Sequence, residues 1–341
     1  MNGFLDMEIL CLGFIPWHSL SGVWLGVLFL VGLSFLCLGG DWLVRGAASM
    51  ALRLKVSPVV VGLTIVSIGT SLPEFLTTAF SAYRGNVDIA IGTIVGSNLC
   101  NIGLILGVCA LVSPLIVELR LIRQEVPGLV VLTAVFMLFS WGGAINRIEG
   151  VCLVFGAITY VCLIFYQTRK VDHAIEEEFI DVIKHPIHSY GLCGVLMGCG
   201  IVCLAFGADW LVNSSVEIAS RLGVSELIVG LTIVAVGTSL PELATSIVAA
   251  VRGQSDICAG NIVGSNIFNI LLIGGSVSTI RPLPVNQELL KLEFPAMMGF
   301  TLLLWLFFLT GRRVTRLEGA LLVTLYLGVM FVSVLASRDV M

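Results

Sequence analysis

The six residues GTSLPE occur twice, at 69–74 and at 237–242, each time inside an otherwise apolar stretch. The first copy lies in VVVGLTIVSIGTSLPEFLTTAF and the second in LIVGLTIVAVGTSLPELATSIV. A glutamate in such a stretch lies where a bilayer would have hydrocarbon, and an ionised acid at mid-membrane costs at least about 2.5 kcal/mol. Because the chain meets that cost twice, Glu74 and Glu242 are predicted to be functional residues.

The composition predicts an all-α, multi-pass membrane protein. Of the 341 residues, 57% are hydrophobic and only 12% are charged, and the mean hydropathy is +1.05. A soluble domain carries about a quarter charged residues. Apolar runs long enough to cross a bilayer as a helix recur along the whole chain. Ten transmembrane helices are predicted, near residues 20–39, 57–83, 89–113, 125–141, 149–166, 190–212, 224–251, 257–280, 294–310 and 317–335.

An internal duplication organises these spans. Residues 39–115 align without gaps on residues 207–283, at an offset of 168 (209 − 41 for the matching aspartates), and about half of the aligned positions are identical. Five spans precede the second copy, so it enters the membrane from the opposite side. The prediction is therefore two inverted five-helix repeats, an N-terminal half 1–167 and a C-terminal half 187–341, joined by a central loop 168–186. Inverted repeats place binding sites near the bilayer midplane at their interface.

The cations in the loops predict the orientation, because cytoplasmic loops carry an excess of lysine and arginine. One side of the predicted topology holds Arg45, Arg53, Lys55, Arg120, Arg123, Arg169, Lys170, Lys184, Arg252, Arg312, Arg313 and Arg316. The other side holds Arg84, Arg147, Arg221, Arg281, Lys291 and Arg338. We therefore expect an N-terminus outside and a cytoplasmic central loop. The net charge is −4 and the sequence contains no cluster of basic residues, so nucleic acid is not an expected partner.

The repeated motif offers oxygen ligands at a helix break. Pro73 removes an amide donor and frees carbonyl groups one turn upstream. In lipid, freed backbone groups are tolerated only where they face protein or a water-lined cavity. Oxygen ligands of this kind suit Ca²⁺, Na⁺ or Mg²⁺ rather than soft metals. The first half supplies the carbonyls of Ser67 and Ile68, the hydroxyls of Thr70 and Ser71, and the Glu74 carboxylate.

The third predicted span adds a second polar group. In IVGSNLCNI, Ser97 and Asn101 are four residues apart and share a helix face with each other. The second half repeats the set with Thr238, Ser239, Glu242, Ser265, Asn266 and Asn269. Serine and threonine hydroxyls in spans often bond to their own backbone, and small residues often mark helix packing. For any single serine or threonine here, such a structural role therefore remains the alternative to ion binding. GTSLPE is not a G-x-S-x-G nucleophile elbow and no histidine lies in a predicted span, so an enzyme is not expected.

At these residues the chain resembles the calcium/cation antiporter superfamily, and particularly its prokaryotic sodium/calcium exchangers. The resemblance rests on the paired GTSLPE and GSNxxN blocks and on the ten-span layout. It implies four ion sites in a diamond between the second, third, seventh and eighth spans. It also implies alternating access, with the first and sixth spans sliding across the core. A prokaryotic inner membrane is the implied location, and no cofactor or obligate protein partner is expected beyond the transported Ca²⁺ and Na⁺.

The resemblance also implies roles for individual residues. Glu74 and Glu242 would bridge Ca²⁺ at the centre, and Asn101 and Asn269 would close the diamond. The flanking sodium sites would be lined by the hydroxyls of Thr70, Ser71, Ser97, Thr238, Ser239 and Ser265, helped by the backbone carbonyls of Ser67 and Ala235.

One position departs from the family pattern, and one pair of positions differs between the two repeats. Several sodium/calcium exchangers carry an aspartate where this chain has Asn269, and paired asparagines are more typical of the proton-coupled relatives. The second difference is that Thr93 of the first repeat aligns with Asn261 of the second. The expected function is export of Ca²⁺ in exchange for Na⁺. An H⁺-coupled Ca²⁺ antiporter is the main alternative, and a cation channel is a more distant one.

Overall fold

The computed structural model describes residues 15–84, 87–167, 187, 189–222, 235–285 and 287–338. In the first half the helices are α1 (Gly22–Leu54), α2 (Pro58–Val61), α3 (Ser67–Thr70), α4 (Leu72–Arg84), α5 (Val87–Cys100), α6 (Gly107–Val112), α7 (Val126–Trp141) and α8 (Arg147–Gln167). In the second half they are α9 (Tyr190–Arg221), α10 (Ala235–Gly237), α11 (Leu240–Val251), α12 (Ser255–Phe268), α13 (Gly275–Ile280), α14 (Gln287–Lys291), α15 (Glu293–Leu309) and α16 (Arg316–Arg338).

Short elements link these helices. A single 3₁₀ turn, Trp17–Ser19, precedes α1. Wider π-helical turns lie at Gly62–Val66, Asn101–Leu106, Leu121–Glu125 and Asn269–Gly274. Four two-residue strands are β1 (Leu115–Ile116), β2 (Ala144–Ile145), β3 (Leu283–Pro284) and β4 (Arg313–Val314). Three of these turns join neighbouring helices into longer continuous spans, and Leu121–Glu125 extends α7 at its start.

The membrane-crossing character predicted from the composition is confirmed. Among the described residues, eight helices are long and apolar enough to cross a bilayer. The pair Pro58–Thr70 and Leu72–Tyr83, bent by 43° between them, makes a ninth when the two helices are counted as one broken span. The predicted span 224–251 is described only from residue 235, where it contains α11, so the count of ten remains a prediction.

Two helices are longer than predicted. The first was expected to end near residue 39, but α1 continues to Leu54, and the sixth was expected to end near 212, but α9 continues to Arg221. In α1 the extension carries an ion pair between Arg45 and Asp41 at 3.0 Å, one helical turn apart. In α9 an ion pair between Arg221 and Glu217 at 2.8 Å has the same spacing. Such pairs stabilise a helix beyond its apolar part, which hydropathy alone does not register.

The two long helices pack against each other through glycines. A Cβ atom on Gly39 would lie 2.8 Å from the Gly200 carbonyl, and one on Gly32 would lie 2.9 Å from the Gly207 carbonyl. The partner number falls as the α1 number rises, so α1 and α9 run antiparallel. Small residues allow this close backbone approach between membrane helices.

The contacts between the halves are reciprocal. β1 of the first half pairs with β4 of the second, and β2 of the first half pairs with β3 of the second. The repeat offset relates β1 to β3 and, within one residue, β2 to β4. Each contact is therefore matched by its counterpart, as expected for two halves related by a pseudo-two-fold axis.

Burial separates the central helices from the peripheral ones. Nearly all of Ser255–Ile280 and most of Ile89–Val112 are buried, whereas only about a fifth of Arg147–Ile164 and of Arg316–Ser333 is buried. The exposed side chains of the outer helices are large and apolar, and they include Phe155. An apolar outer surface of this extent is what a bilayer covers. The buried glutamates lie inside it.

Candidate functional site

Each GTSLPE motif breaks a helix and starts another with its glutamate in the first turn. Ser71 leaves helical geometry, with φ −82° and ψ 2°, and α4 begins at the next residue. Ser239 does the same before α11, with φ −93° and ψ 9°. Proline suits the first turn because the amide it lacks would have no partner there. The positive end of each helix dipole then lies beside Glu74 or Glu242.

Each glutamate is held by a serine from the opposite half. Ser239 donates its hydroxyl proton to Glu74 Oε1 at 2.6 Å, and Ser71 donates to Glu242 Oε1 at 2.8 Å. Both carboxylates are buried, with 1% and 0% of their surface exposed. The halves therefore meet at the carboxylates, and each motif supplies both a carboxylate and the donor for its counterpart.

Two more predicted residues join this cluster. Ser71 lies 3.2 Å from the Ser265 hydroxyl, and Ser239 lies 3.5 Å from the Ser97 hydroxyl. The Glu74 and Glu242 side chains are also close enough to interact with each other. We name this group of Ser71, Glu74, Ser97, Ser239, Glu242 and Ser265 the carboxylate cluster.

Several buried oxygen atoms at the predicted site have no protein partner. Within the described residues, Glu74 Oε2 and Glu242 Oε2 accept no hydrogen bond. The side-chain amide atoms of Asn101 and Asn269 likewise make none, although both residues are buried. Buried polar atoms are nearly always satisfied, because burying an unpaired one is costly. Unpaired oxygens beside a double negative charge are what a hard cation requires.

Asn101 and Asn269 occupy equivalent places in the chain. Each is the first residue of a π-helical turn, Asn101–Leu106 or Asn269–Gly274, directly after a helix of the repeat. A π-helical turn inserts one extra residue and rotates the following side chains, and it occurs frequently at functional sites. Among the described residues, neither asparagine hydrogen-bonds to the carboxylate cluster.

The two predicted backbone ligands behave differently. The Ser67 carbonyl accepts the Ser71 amide at 3.0 Å and the Thr70 hydroxyl at 3.4 Å, so the prediction that the break frees this carbonyl is wrong. In the second half, the Ser239 amide donates to the Val236 carbonyl at 3.1 Å instead. The helix before the break ends at Thr70 in the first half and at Gly237, one residue earlier by the repeat offset, in the second.

The remaining predicted hydroxyls lie apart from the carboxylate cluster's hydrogen bonds. Thr238 is buried at the second break. The Ser67 hydroxyl donates to Leu63 of its own helix at 2.8 Å, the self-bonding expected for a serine in a span. Thr70 contacts Asn261 at 3.2 Å, a partner that sequence reasoning did not assign. The mismatch between Thr93 and Asn261 in the repeat was the available signal.

Charged residues also gather at the start of α7, where the sequence singled out no site. Arg120 pairs with Glu125 at 2.9 Å, and the Tyr160 hydroxyl donates to Glu125 at 2.9 Å. These three residues border a cavity of about 400 Å³ that is otherwise mainly apolar. Burial raises the pKa of nearby Glu118, which precedes this span.

Metal-binding chemistry of the histidine and cysteine type is not indicated in this part of the chain. Among the described residues, no group of three or more His, Cys, Asp or Glu side chains is placed to hold a metal ion. A cation at the carboxylate cluster would have two carboxylates, with its other ligands drawn from hydroxyl, amide and carbonyl oxygens. Such a set carries a charge of −2 and contains only hard donors.

Comparison with known proteins gives a consistent assignment. The family described as sodium/calcium exchanger protein matches residues 24–168 and 193–335. The sodium/calcium exchanger MaX1 of Methanosarcina acetivorans is 32% identical, over 90% of this chain and 97% of its own. The inner membrane protein YrbG of Escherichia coli is 32% identical, over 82% and 88%. The solved structure of the sodium-calcium exchanger NCX_Mj superposes with a TM-score of 0.77 at 31% identity, over 89% and 97%.

Proposed function

The chain belongs to the sodium/calcium exchanger family of antiporters, and we propose that it exports Ca²⁺ in exchange for Na⁺ by alternating access. The observation that carries the proposal is the pair of buried carboxylates, each bonded through Oε1 to a serine of the other half and each left with an unpaired Oε2. A Ca²⁺ ion between the two Oε2 atoms would satisfy both. The ion would also hold the two halves together at one point.

Charge balance supports an exchange rather than one-way binding. Glu74 and Glu242 contribute −2, which one Ca²⁺ neutralises, as do two Na⁺. An uncompensated charge in a low-dielectric site is costly, so the site favours states in which one cargo replaces the other. The hydroxyls of Ser71, Ser97, Ser239 and Ser265, with Thr70 and Thr238 beside them, are the proposed ligands of the Na⁺ ions. The carbonyl of Ala235 and the amides of Asn101 and Asn269 would complete the set.

The coupling ion is tested with purified protein in liposomes. Liposomes loaded with Na⁺ and diluted into Na⁺-free buffer should take up ⁴⁵Ca²⁺, whereas a matched pH gradient without Na⁺ should drive none. Uptake driven only by the pH gradient would overturn the Na⁺ coupling. Flux that equilibrates ⁴⁵Ca²⁺ with neither gradient, and without exchange for internal Ca²⁺, would indicate a channel.

H⁺ coupling is the second candidate because both halves place an asparagine at the equivalent position. Asn101 and Asn269 are buried without hydrogen bonds in the described structure, so neither adds a negative charge to the site. Two protons neutralise the two carboxylates as well as two Na⁺ do. The hydroxyl-rich surroundings favour Na⁺, because a proton requires no further oxygen ligands.

The proposed orientation has the N-terminus outside and the central loop in the cytoplasm of a prokaryotic cell. It is supported by the excess of loop cations on the side of residues 168–186, a segment outside the described residues. A Glu177→Cys variant in a cysteine-free background tests it. A membrane-impermeant maleimide should label this cysteine only after cells are opened. Labelling in intact cells would mean that the central loop faces outside and that the proposed orientation is wrong.

A further inference from the structure

An ion pair joins α1 of the first half to α11 of the second. Arg252, the C-cap residue of α11, donates from Nη2 to Asp41 Oδ1 of α1. The other carboxylate oxygen of Asp41 pairs with Arg45 at 3.0 Å, one turn along α1. The repeat offset relates Asp41 to Asp209. It also relates Arg252 to Arg84, so the duplication contains both partners of the pair twice.

Beside this ion pair, α1 and α11 are packed too closely to leave a gap. A Cβ atom on Gly40 would lie 3.2 Å from the Ala244 carbonyl and 3.3 Å from the Val248 side chain. Ala244 lies in the same part of α11 as Glu242, and Arg252 follows the last residue of that helix. The contact with α1 therefore extends from the level of the carboxylate cluster to the ion pair. An ion cannot pass between the two helices along this contact.

The counterpart of α1, which is α9, does not cover α4 in the same way. The repeat offset relates Leu240 and Ala244 of α11 to Leu72 and Leu76 of α4. Leu240 and Ala244 pack against the buried core. By contrast, 44% of Leu72 and 46% of Leu76 is exposed. The glycine contacts hold α1 and α9 together as one unit, the α1–α9 pair, and this pair lies against α11 rather than against α4.

This asymmetry has a direction across the membrane. The proposed orientation places Arg252 on the cytoplasmic side and Arg84 on the outer side. The contact of α1 with α11 thus closes the route from the carboxylate cluster to the cytoplasm. For that route to open, the α1–α9 pair has to leave α11 and the bond from Arg252 to Asp41 has to break. Arg45 belongs to α1 itself, so it stays beside Asp41 when this happens and keeps the carboxylate paired.

We propose that the ion pair of Asp41 and Arg252 is a latch that holds the α1–α9 pair against α11 and keeps the cytoplasmic route to the carboxylate cluster closed. The inference rests on the proposed alternating access, and it identifies a contact that sets the balance between the two conformations. The side chains of Asp41 and Arg252 are 21% and 36% exposed. Because partly exposed ion pairs are weak, loss of the latch should raise the population open to the cytoplasm about two- to fivefold rather than completely.

The first test measures the conformation without transport. A Val248→Cys reporter in a cysteine-free background lies inside the closed contact, and a membrane-impermeant maleimide is applied to the cytoplasmic face of inside-out membrane vesicles. Adding Asp41→Asn or Arg252→Gln should raise the labelling rate about two- to fivefold. Arg45→Gln is the matched control, because it removes the other arginine beside Asp41 but leaves the latch, so the rate should not rise. An unchanged rate in both latch variants would overturn the proposal, as would an equal rise in Arg45→Gln.

A double variant shows whether the two residues act through each other. Asp41→Asn combined with Arg252→Gln should label no faster than the faster of the two single variants, because either substitution already removes the ion pair. Independent effects that multiply in the double variant would overturn the proposal.

The second test measures the Ca²⁺ affinity on each face separately. In inside-out vesicles, Asp41→Asn should lower the half-saturating Ca²⁺ concentration of Ca²⁺/Ca²⁺ exchange about two- to fivefold, because apparent affinity follows the population open to that face. In right-side-out vesicles it should change by less than about twofold. A rise on both faces would indicate a damaged ion site and would overturn the proposal. Wild-type protein without any Ca²⁺ exchange would overturn the proposed function instead, and the labelling rates would still decide whether the latch exists.

Discussion

Ser239 donates a 2.6 Å hydrogen bond to Glu74 from the opposite half of the chain. The equivalent bond, from Ser71 to Glu242, is 2.8 Å long. Each carboxylate is therefore oriented by the repeat to which it does not belong. A movement of one half relative to the other must change these two bonds, so the geometry of the site is linked to the arrangement of the halves. In a transporter with alternating access, this link would let ion binding bias the conformation.

The first prediction concerns the two carboxylates. Glu74→Gln and Glu242→Gln should each abolish ⁴⁵Ca²⁺ uptake, because one remaining negative charge cannot neutralise a divalent ion in a buried site. Either variant should melt at or above the wild-type temperature, because it removes a buried charge. Detergent-solubilised protein on size-exclusion chromatography provides the folding control. Near-normal uptake by either variant would remove these residues from the Ca²⁺ site.

The second prediction concerns the serine donors. Ser71→Ala or Ser239→Ala should raise the half-saturating Ca²⁺ concentration about tenfold or more, because a hydrogen bond to a charged group contributes about 1.5–3 kcal/mol. Ser140→Ala is the matched control: Ser140 is also buried, but its hydroxyl bonds to the Phe136 carbonyl of its own helix. Ca²⁺ saturation curves of the three variants measure the half-saturating Ca²⁺ concentration of each. Equal curves for Ser239→Ala and Ser140→Ala would contradict the prediction.

The third prediction concerns the contact between α1 and α9. Gly200→Ala should destabilise the protein by about 1–3 kcal/mol, because the new methyl group would lie 2.8 Å from the Gly39 carbonyl and the Leu43 amide. Gly198→Ala, on the same helix, meets no described atom within 4 Å and should be neutral or slightly stabilising. Thermal melting of both variants in detergent measures the difference. Equal melting temperatures would mean that α1 and α9 are not closely packed in solution.

The duplication, the functional glutamates and the helix break before α4 could be predicted from the sequence. The duplication is visible by direct self-comparison, and the other two depend on the local chemistry of glutamate and proline. Pro73 and Gly69 predicted where the second span bends, and the structure bends it by 43° there. Hydropathy did not predict that α1 continues to Leu54, because the charged residues Asp41 and Arg45 interrupt the apolar run although they pair with each other inside the helix.

Contacts between the halves could not be derived from the sequence. The pairing of Ser239 with Glu74, and of Thr70 with Asn261, joins residues more than 160 positions apart, separated by 165 and 191. The repeat predicted which residues would converge but not which atoms would bond. It also could not show that the Ser67 carbonyl keeps its α-helical bond to the Ser71 amide, because this depends on the residue at which the helix bends.

The last prediction concerns Asn269, where several exchangers of this family carry an aspartate. Asn269 is buried with both amide atoms unpaired in the described structure, so a carboxylate there would add its charge to the −2 of the two glutamates. The wild-type site is neutral with two Na⁺, and a third would leave it positive. Asn269→Asp removes that penalty, so we expect the stoichiometry to rise from two to three Na⁺ per Ca²⁺.

Net ⁴⁵Ca²⁺ flux into proteoliposomes, measured at known Na⁺ and Ca²⁺ gradients and several imposed membrane potentials, gives this stoichiometry. Two Na⁺ per Ca²⁺ moves no net charge and makes the flux direction independent of the potential, whereas three moves one charge and makes it depend on the potential. Asn101→Asp is the counterpart in the first half and tests whether the two positions are equivalent. A wild-type stoichiometry of three would contradict the two-carboxylate charge balance. A stoichiometry of two in both wild type and Asn269→Asp would mean that this position does not set the coupling, and that the Na⁺ number is fixed by the count of oriented hydroxyls instead.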